Sequence, residues 1–115
     1  MRSLSPPLAW FPKRGEIYLV QLDKPRPAVV LSVNQLNRHA FDVCVVGITT
    51  KQHIKFSMRV PLRAGDGGLN FGCWAKCDQV TTLPKSLLRY PSLGFLHPHS
   101  ISQIEEQVRI ALGLN

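Results

Sequence analysis

The sequence predicts a mainly β domain: a small barrel of about five to seven antiparallel strands with one C-terminal α-helix. Three observations support this fold class. Short runs of β-forming residues recur along the chain, turn residues separate them, and a long helical periodicity is found only at the C-terminal end. The chain has 115 residues, which suits one domain. Several short strands followed by a single helix are typical of a strongly curved antiparallel sheet.

The first half of the chain carries three predicted strands. Residues 16–22 are rich in β-formers, while residues 27–33 and 42–49 are almost wholly apolar. A continuous apolar run is typical of a strand that is covered on both faces. A very short link, residues 23–25, joins the first two strands, and residues 34–40 are predicted to be a polar loop.

Two more strands are predicted in the second half. Residues 55–62 alternate between polar and apolar side chains, which indicates a half-buried strand whose outer face carries Lys55 and Arg59. A glycine-rich turn at 65–68 follows. The next strand is predicted over 72–78 and continues loosely to residue 83.

A long helix is predicted at the C-terminal end. Ser100 and Gln103 have the spacing of a capping box, and Gly113 is expected to end the helix. Apolar residues with helical spacing are expected to seal the barrel; they are Ile101, Ile104, Val108 and Leu112. Ile110 and Leu114 are left partly available to a second subunit. A short helical turn is also predicted over 84–89.

The charge balance points to a polyanionic partner. Fourteen Lys and Arg against seven Asp and Glu give a formal net charge of +7, which favours nucleic acid. No apolar run is long enough to cross a membrane, and the prolines before residue 13 argue against a secretory signal. Cys44, Cys73 and Cys77 indicate no disulfide framework, so the expected location is the reducing cytoplasm.

Arg26 is the first candidate for chemistry. Pro25 fixes its own backbone angle and Pro27 pushes Arg26 towards an extended conformation, so the guanidinium leaves a stiff backbone at the start of a strand. Arginine binds phosphate with two hydrogen bonds and keeps its charge at neutral pH. The alternative is an exposed cation in a proline-stiffened link.

The segment 72–79 is the second candidate. In an extended strand Trp74, Lys76 and Asp78 project to one face. A carboxylate can take the proton of a ribose 2′-hydroxyl, an ammonium can stabilise charge on phosphorus, and an indole can stack a base. The alternative is a surface ion pair beside a half-buried tryptophan. Cys73 and Cys77 face the other way and are expected to be buried thiols.

Thr49, Thr50 and Lys51 are the third candidate, because hydroxyls beside a cation can bind phosphate oxygens. The alternative is that these threonines are simply good β-formers. A metal site is not indicated, since the cysteine pair and the two histidines at 97 and 99 lack the spacing of zinc ligands. A nucleophilic Cys–His pair has no motif behind it. No metal and no cofactor are expected.

The ordered set of segments resembles the MazF/PemK family of toxin endoribonucleases. The matching pieces are residues 13–20 (KRGEIYLV), 26–32 (RPAVVLS), 48–50 (ITT), 76–79 (KCDQ), 82–83 (TL) and the closing helix with 112–114 (LGL). They occur in the family's order and at its approximate spacing. The resemblance covers residues 13–115 as one toxin domain, and residues 1–12 are interpreted as an irregular N-terminal extension.

The resemblance implies an SH3-like barrel that forms a homodimer and cleaves single-stranded RNA without a metal, leaving 2′,3′-cyclic phosphate and 5′-hydroxyl ends. It also implies a cognate acidic antitoxin as partner. It places a phosphate stabiliser on Arg26, a phosphate ligand on Thr49, the base on Asp78 and the acid or electrostatic partner on Lys76. The further residues expected to bind RNA are Lys24, Thr50, Lys51, Lys55, Arg59, Trp74 and Gln79.

Two departures from the family pattern leave an alternative open. The loop before Arg26 is nearly reduced to residues 23–25, so a helper Glu or His is missing unless Asp23 replaces it, and Lys76 stands where the PemK branch has arginine. The alternative is therefore a catalytically weak or inactive module that binds RNA or antitoxin on the same barrel. A gyrase poison on this barrel is a third hypothesis, but residues 110–115 resemble packed helix rather than an inserting tail.

Overall fold

Six antiparallel strands form one sheet, and a helix follows them at the C-terminal end, which confirms the predicted fold class. The computed structural model describes residues 4–51 and 58–114. The strands are β1 Glu16–Val20, β2 Arg26–Val30, β3 Asp42–Thr49, β4 Arg59–Leu62, β5 Cys73–Pro84 and β6 Leu88–Phe95. The helices are α1 Asn34–His39 and α2 Pro98–Ala111. The strand order is β4-β5-β3-β2-β1-β6.

The sheet curves like a small barrel, and a 3₁₀ turn bridges its two edges. Within the described residues β4 and β6 do not pair with each other, but the turn Asp66–Gly68 that follows β4 packs on β6. The contact is so close that a Cβ atom at Gly68 would lie 2.0 Å from the carbonyl oxygen of Leu93. Gly68 also has φ of +79°, so glycine alone fits this position.

Apolar side chains are buried on both faces of the sheet. One cluster, which we call the helix-side cluster, includes Ile17 and Val46 and packs against Ile104 and Val108 of α2. The second cluster lies on the opposite face and includes Val30. Strands with apolar residues on both faces match the continuous apolar runs of β2 and β3.

Helix α2 begins earlier than the sequence predicted. His97, not Ser100, is the N-cap, and its Nδ1 accepts the backbone N–H of His99 at 3.0 Å. The Ser100 hydroxyl instead donates to Asp66 at 2.6 Å. Leu112 was expected in the core but is 53% exposed, because it lies past the last helical turn. Gly113, at φ of +69°, ends the helix as predicted.

The predicted loop 34–40 is wrong, because residues Asn34–His39 form helix α1. Asn37 is fully buried there, and its side-chain amide donates to the carbonyl oxygen of Ser32 at 2.8 Å. The ammonium of Lys85 donates to the carbonyl oxygen of Asn37 at 2.9 Å. These contacts are not visible in the local sequence pattern, which is mostly polar.

The sequence also missed β6. Residues 84–89 were predicted as a helical turn, but the 3₁₀ turn is confined to Lys85–Leu87 and β6 follows it. Pro91 and Gly94 hide this strand in the sequence, yet an edge strand tolerates a proline. Of the strand predicted over 55–62, residues 55–57 lie outside the described part of the chain. No described helix is long and apolar enough to cross a membrane.

The N-terminal extension docks on the sheet through Trp10. Its ring packs edge-on against Tyr18 and Tyr90, with ring centroids 6.0 and 5.9 Å away. Its indole N–H donates to the Tyr18 hydroxyl at 3.3 Å. Burial raises the pKa of Tyr18, and the hydrogen bond to Glu16 raises it further. Leu8, in contrast, is fully exposed.

We predict that Ile104→Ala lowers the free energy of unfolding by about 2–5 kcal/mol, because it opens a cavity in the helix-side cluster. The matched control is Gln103→Ala on the same helix, where the side chain is exposed and the expected change is within about 0.5 kcal/mol. Urea denaturation followed by circular dichroism measures both. Equal losses for the two variants would contradict the assigned orientation of α2.

Candidate nucleic-acid interface

The pairing of β5 with β3 changes register beside the candidate site. Val46 pairs with Val80 and Ile48 pairs with Ala75, so β5 uses three more residues than β3 over the same stretch. Cys77 and Val80 both pack on the helix-side cluster, and the alternation of side chains therefore slips between them. Such irregularities re-aim side chains at functional sites.

This slip corrects one prediction. Trp74, Lys76 and Asp78 were expected on one face, but Gln79, not Asp78, shares a depression with Lys76. Asp78 is exposed and lines neither of the depressions described below. Trp74 is half-buried and also lines neither. Side chains do not alternate strictly between the two faces of a strand where the strand contains a bulge. The sequence alone did not reveal this bulge.

Lys76 lies over Gly47 of the neighbouring strand. A Cβ atom at Gly47 would be 3.0 Å from Lys76 Cε and 3.4 Å from Nζ, so the missing side chain gives the lysine its place. Arg59 of β4 is paired directly with Lys76. Like charges at directly opposed positions on neighbouring strands repel each other and destabilise the fold. A bound anion removes this repulsion, so the pair indicates a site for an anion.

A first depression, the apolar groove, lies on the sheet face opposite α2 and has a volume of about 130 Å³. Arg26, Lys76 and Gln79 line it together with an apolar floor. The floor and walls are completed by Val20, Leu22, Pro27, Ala28, Val45, Gly47, Ile48, Thr81 and Leu83. The structure thus brings Arg26 of β2 and Lys76 of β5 to one groove, although 50 positions separate them in the sequence.

A second depression, the cationic cleft, adjoins the groove and has a volume of about 640 Å³. Its polar lining residues are Lys24, Arg26, Thr49, Thr50, Lys51 and Asn70. The remaining lining residues are Pro25, Pro27, Ile48, Leu69, Phe71 and Cys73. Arg26 belongs to both depressions, so this residue lies where the groove meets the cleft.

The cleft is built for a negative ligand. Lys24, Arg26 and Lys51 are exposed cations, and among the described residues that line the cleft none carries a carboxylate. The ion pairs found in the described residues use Arg14 with Glu105 at 2.6 Å and Arg109 with Glu106 at 3.2 Å. Both pairs lie at α2, so the charges of the cleft are left for a partner.

Thr49 is oriented by its own turn. Its hydroxyl oxygen accepts the backbone N–H of Lys51 at 3.1 Å. A hydroxyl that accepts one hydrogen bond can still donate its proton, and here a phosphate oxygen in the cleft is a suitable acceptor. The predicted segment 49–51 therefore lies with Arg26 in one cleft. Lys55, also predicted to bind RNA, is outside the described residues.

Sequence reasoning missed Asn70 and Phe71. Phe71 is 68% exposed although it is apolar, and both residues line the cationic cleft. The available signal was an aromatic residue within an otherwise polar, glycine-rich turn.

Two of the three cysteines are buried, unreactive thiols. Cys73 and Cys77 are 5% and 0% exposed. Burial raises the pKa of the Cys73 thiol, and burial raises that of Cys77 to about 11. Both thiols are therefore neutral at physiological pH, as the inward-facing pattern predicted. In the described part of the chain no three His, Cys, Asp or Glu side chains come together.

The described part of the N-terminal extension lies outside both depressions. None of the described residues of the extension, 4–12, lines the groove or the cleft. Residues 4–6 border a separate polar depression with Gln21 and Arg89. The described residues of the extension therefore do not cover the candidate site.

Comparison with known proteins places this chain among the toxins of toxin–antitoxin systems. Residues 13–112 match the family described as the PemK-like, MazF-like toxin of type II toxin–antitoxin systems. The endoribonuclease MazF9 of Mycobacterium tuberculosis is 29% identical over an alignment of 115 positions that covers 89% of this chain and 97% of that protein.

Solved structures give the same answer. An endoribonuclease from a mycobacterial species superposes with a TM-score of 0.79 at 30% identity, covering 94% of this chain and 97% of that one. A mycobacterial endoribonuclease in complex with its cognate antitoxin also has a TM-score of 0.79 at 30% identity, covering 90% and 97%. The chain therefore belongs to the PemK-like, MazF-like toxin family.

Proposed function

We propose that this protein is the toxin of a type II toxin–antitoxin pair and a metal-independent endoribonuclease that cleaves single-stranded RNA in the cationic cleft. Membership of the toxin family supports the class of activity. The observation that carries the site is the position of Arg26, which lines both the groove with Lys76 and the cleft with Thr49 and Lys51.

The proposed reaction is an internal phosphoryl transfer. The ribose 2′-oxygen attacks the adjacent phosphorus, the bond from phosphorus to the 5′-oxygen breaks, and the products are a 2′,3′-cyclic phosphate and a 5′-hydroxyl. Arg26 holds the non-bridging oxygens and stabilises their growing charge with two hydrogen bonds. Thr49 donates its hydroxyl proton to a phosphate oxygen.

The proton transfers are assigned to β5. We assign the base to Asp78, which takes the 2′-hydroxyl proton, and the acid to Lys76, which protonates the leaving 5′-oxygen. Asp78 is exposed and adjoins Gln79, a residue of the apolar groove. Asp23 adjoins the other end of the site, but its carboxylate accepts the backbone N–H of Lys24 at 2.9 Å and is engaged within its own loop.

Charge supports a mechanism without a metal. The lining cations repel a divalent ion and themselves supply the electrostatic stabilisation of the transferring phosphoryl group. This role is the one that a metal ion has in other nucleases.

The proposed partners are single-stranded RNA and a cognate acidic antitoxin. A similar mycobacterial endoribonuclease has been solved with its antitoxin. The apolar groove with Arg26 and Lys76 at its rim fits an acidic peptide with apolar side chains. The RNA substrate and three free cysteines favour action in the cytoplasm.

The alternative is a binding module with little or no catalysis. The position of Asp78 outside both depressions favours it, as does the short loop before Arg26. The cleavage rates of Arg26→Ala and Asp78→Asn, compared with the wild type, separate this binding module from an enzyme.

Arg26→Ala is expected to lower the rate of RNA cleavage by about 10²–10³, because it removes the charge that meets the phosphate. Cleavage is measured in EDTA, with the 5′-hydroxyl ends mapped by sequencing. Arg109→Ala is the control, since Arg109 is exposed on α2 and lines neither depression. A wild-type protein that leaves a diverse RNA pool intact, or that needs a metal, refutes the proposed mechanism.

Asp78→Asn is expected to slow cleavage by about 10²–10⁴, the usual worth of a positioned base, while Asp23→Asn leaves it nearly unchanged. An RNA with a bridging 5′-sulfur needs no acid, so it should restore cleavage by Lys76→Ala but not by Asp78→Asn. Rescue of Asp78→Asn by sulfur, or its full activity on ordinary RNA, would remove Asp78 from the base role.

We propose that the protein forms a homodimer through the end of α2. Ile110, Leu112 and Leu114 are 52%, 53% and 59% exposed, an apolar surface that a second copy can cover. Light scattering at micromolar concentration should give twice the 12.9 kDa mass of the chain. The double variant Ile110→Glu, Leu114→Glu should give the single mass, and a wild type that is only monomeric contradicts the proposal.

A further inference from the structure

We propose that Phe71 stacks on an unpaired RNA base next to the scissile phosphate and that Asn70 hydrogen-bonds the edge of the same base. The segment 69–71 is then a base-binding subsite of the cationic cleft. This inference rests on the proposed function and deepens it, since it names residues that select the nucleotide at the cleavage site.

Leu69 anchors this segment in the hydrophobic core. Leu69 is 7% exposed and packs in the helix-side cluster. The Leu69 carbonyl oxygen accepts the backbone N–H of Gly65 at 2.7 Å, and the Leu69 N–H donates to the Asp66 carbonyl oxygen at 3.1 Å. Leu69 therefore fixes the backbone immediately before Asn70 and Phe71.

Hydrogen bonds of Asp66 connect the same turn to the start of α2. Its carboxylate accepts the backbone N–H of His97 at 2.8 Å and the hydroxyl of Ser100 at 2.6 Å. Together with the close contact of Gly68 to Leu93, these bonds join the turn to β6 and α2. A rigid support of this kind lowers the entropy lost when a ligand binds.

Within residues 4–51 and 58–114, no packing contact gives Phe71 a structural role. Its side chain is 68% exposed, belongs to neither core cluster and lines the cleft. A phenyl ring in water is unfavourable by its exposed apolar area, so its position is best explained by a ligand that covers it.

The chemistry of the cleft indicates a nucleobase as that ligand. Lys24, Arg26 and Lys51 line the same cleft and suit the phosphate backbone. An aromatic ring among cations is typical of sites for single-stranded nucleic acid, where the ring stacks on the face of a base. Asn70 has both a donor and an acceptor, which suits the polar edge of that base.

The test uses RNA oligonucleotides that contain the cleaved sequence found for the wild type. Phe71→Ala is expected to lower kcat/KM about 10- to 100-fold, in line with the loss of one stacked base, while Phe71→Trp retains activity. Phe41→Ala is the matched control, since Phe41 is 91% exposed and lines neither depression; it should cleave like the wild type.

Abasic substrates identify the stacked base. Replacing one flanking nucleotide by an abasic one should slow the wild type about 10- to 100-fold and leave Phe71→Ala without further loss.

Asn70→Ala should change the preference among the four bases at that position only. The salt dependence of binding should be unchanged in Phe71→Ala but weaker by about 0.7 in log–log slope in Lys51→Ala.

The outcomes test the stacking role of Phe71 separately from the proposed ribonuclease activity. Normal cleavage by Phe71→Ala overturns the stacking role while the ribonuclease stands. If the wild type cuts no RNA, fluorescence anisotropy with a single-stranded RNA that it binds replaces kinetics, and weaker binding by Phe71→Ala still supports the subsite. If Phe71→Ala does not fold, the wild type with the abasic series decides, and the inference fails if no flanking position affects cleavage.

Discussion

The change of register between β3 and β5, opposite Gly47, determines where the charges of this protein meet. Without it, the strands would continue their regular alternation and Gln79 would point to the helix side. The missing side chain of Gly47 then leaves room for Lys76, which enters the groove that Arg26 lines from β2. One irregular stretch of pairing thus joins two distant segments of the chain.

Holding cations together works against folding, and the core has to offset it. Lys76 is paired across the sheet with Arg59, and such like-charge pairs cost up to about 1 kcal/mol. A single buried residue such as Ile104, at 0% exposure, contributes about 2–5 kcal/mol. The core therefore tolerates several unpaired charges, and a polyanion bound at the site removes their repulsion.

The site combines backbone segments that are fixed by contacts with side chains that are exposed to a ligand. The turn 65–69 is bonded to α2 and pressed against β6, while the link before β2 is stiffened by Pro25 and Pro27. The cleft between these two segments is thus preorganised, which is the property that a site for a transition state needs. The exposed residues on its rim are the ones that a ligand can reach.

The sequence by itself determined the mainly β fold class with its C-terminal helix and the candidate residues of the site, because periodicity, turn residues and the Arg-Pro step are local properties. It identified β3 with its bounds, Arg26, and the segment 49–51. Only the tertiary structure decided α1, whose buried Asn37 is stabilised by residues outside its own helix, and β6, whose proline is tolerated at an edge. It also decided which face Asp78 takes and that Phe71 borders the cleft, since both depend on pairing and anchoring between segments far apart in the chain.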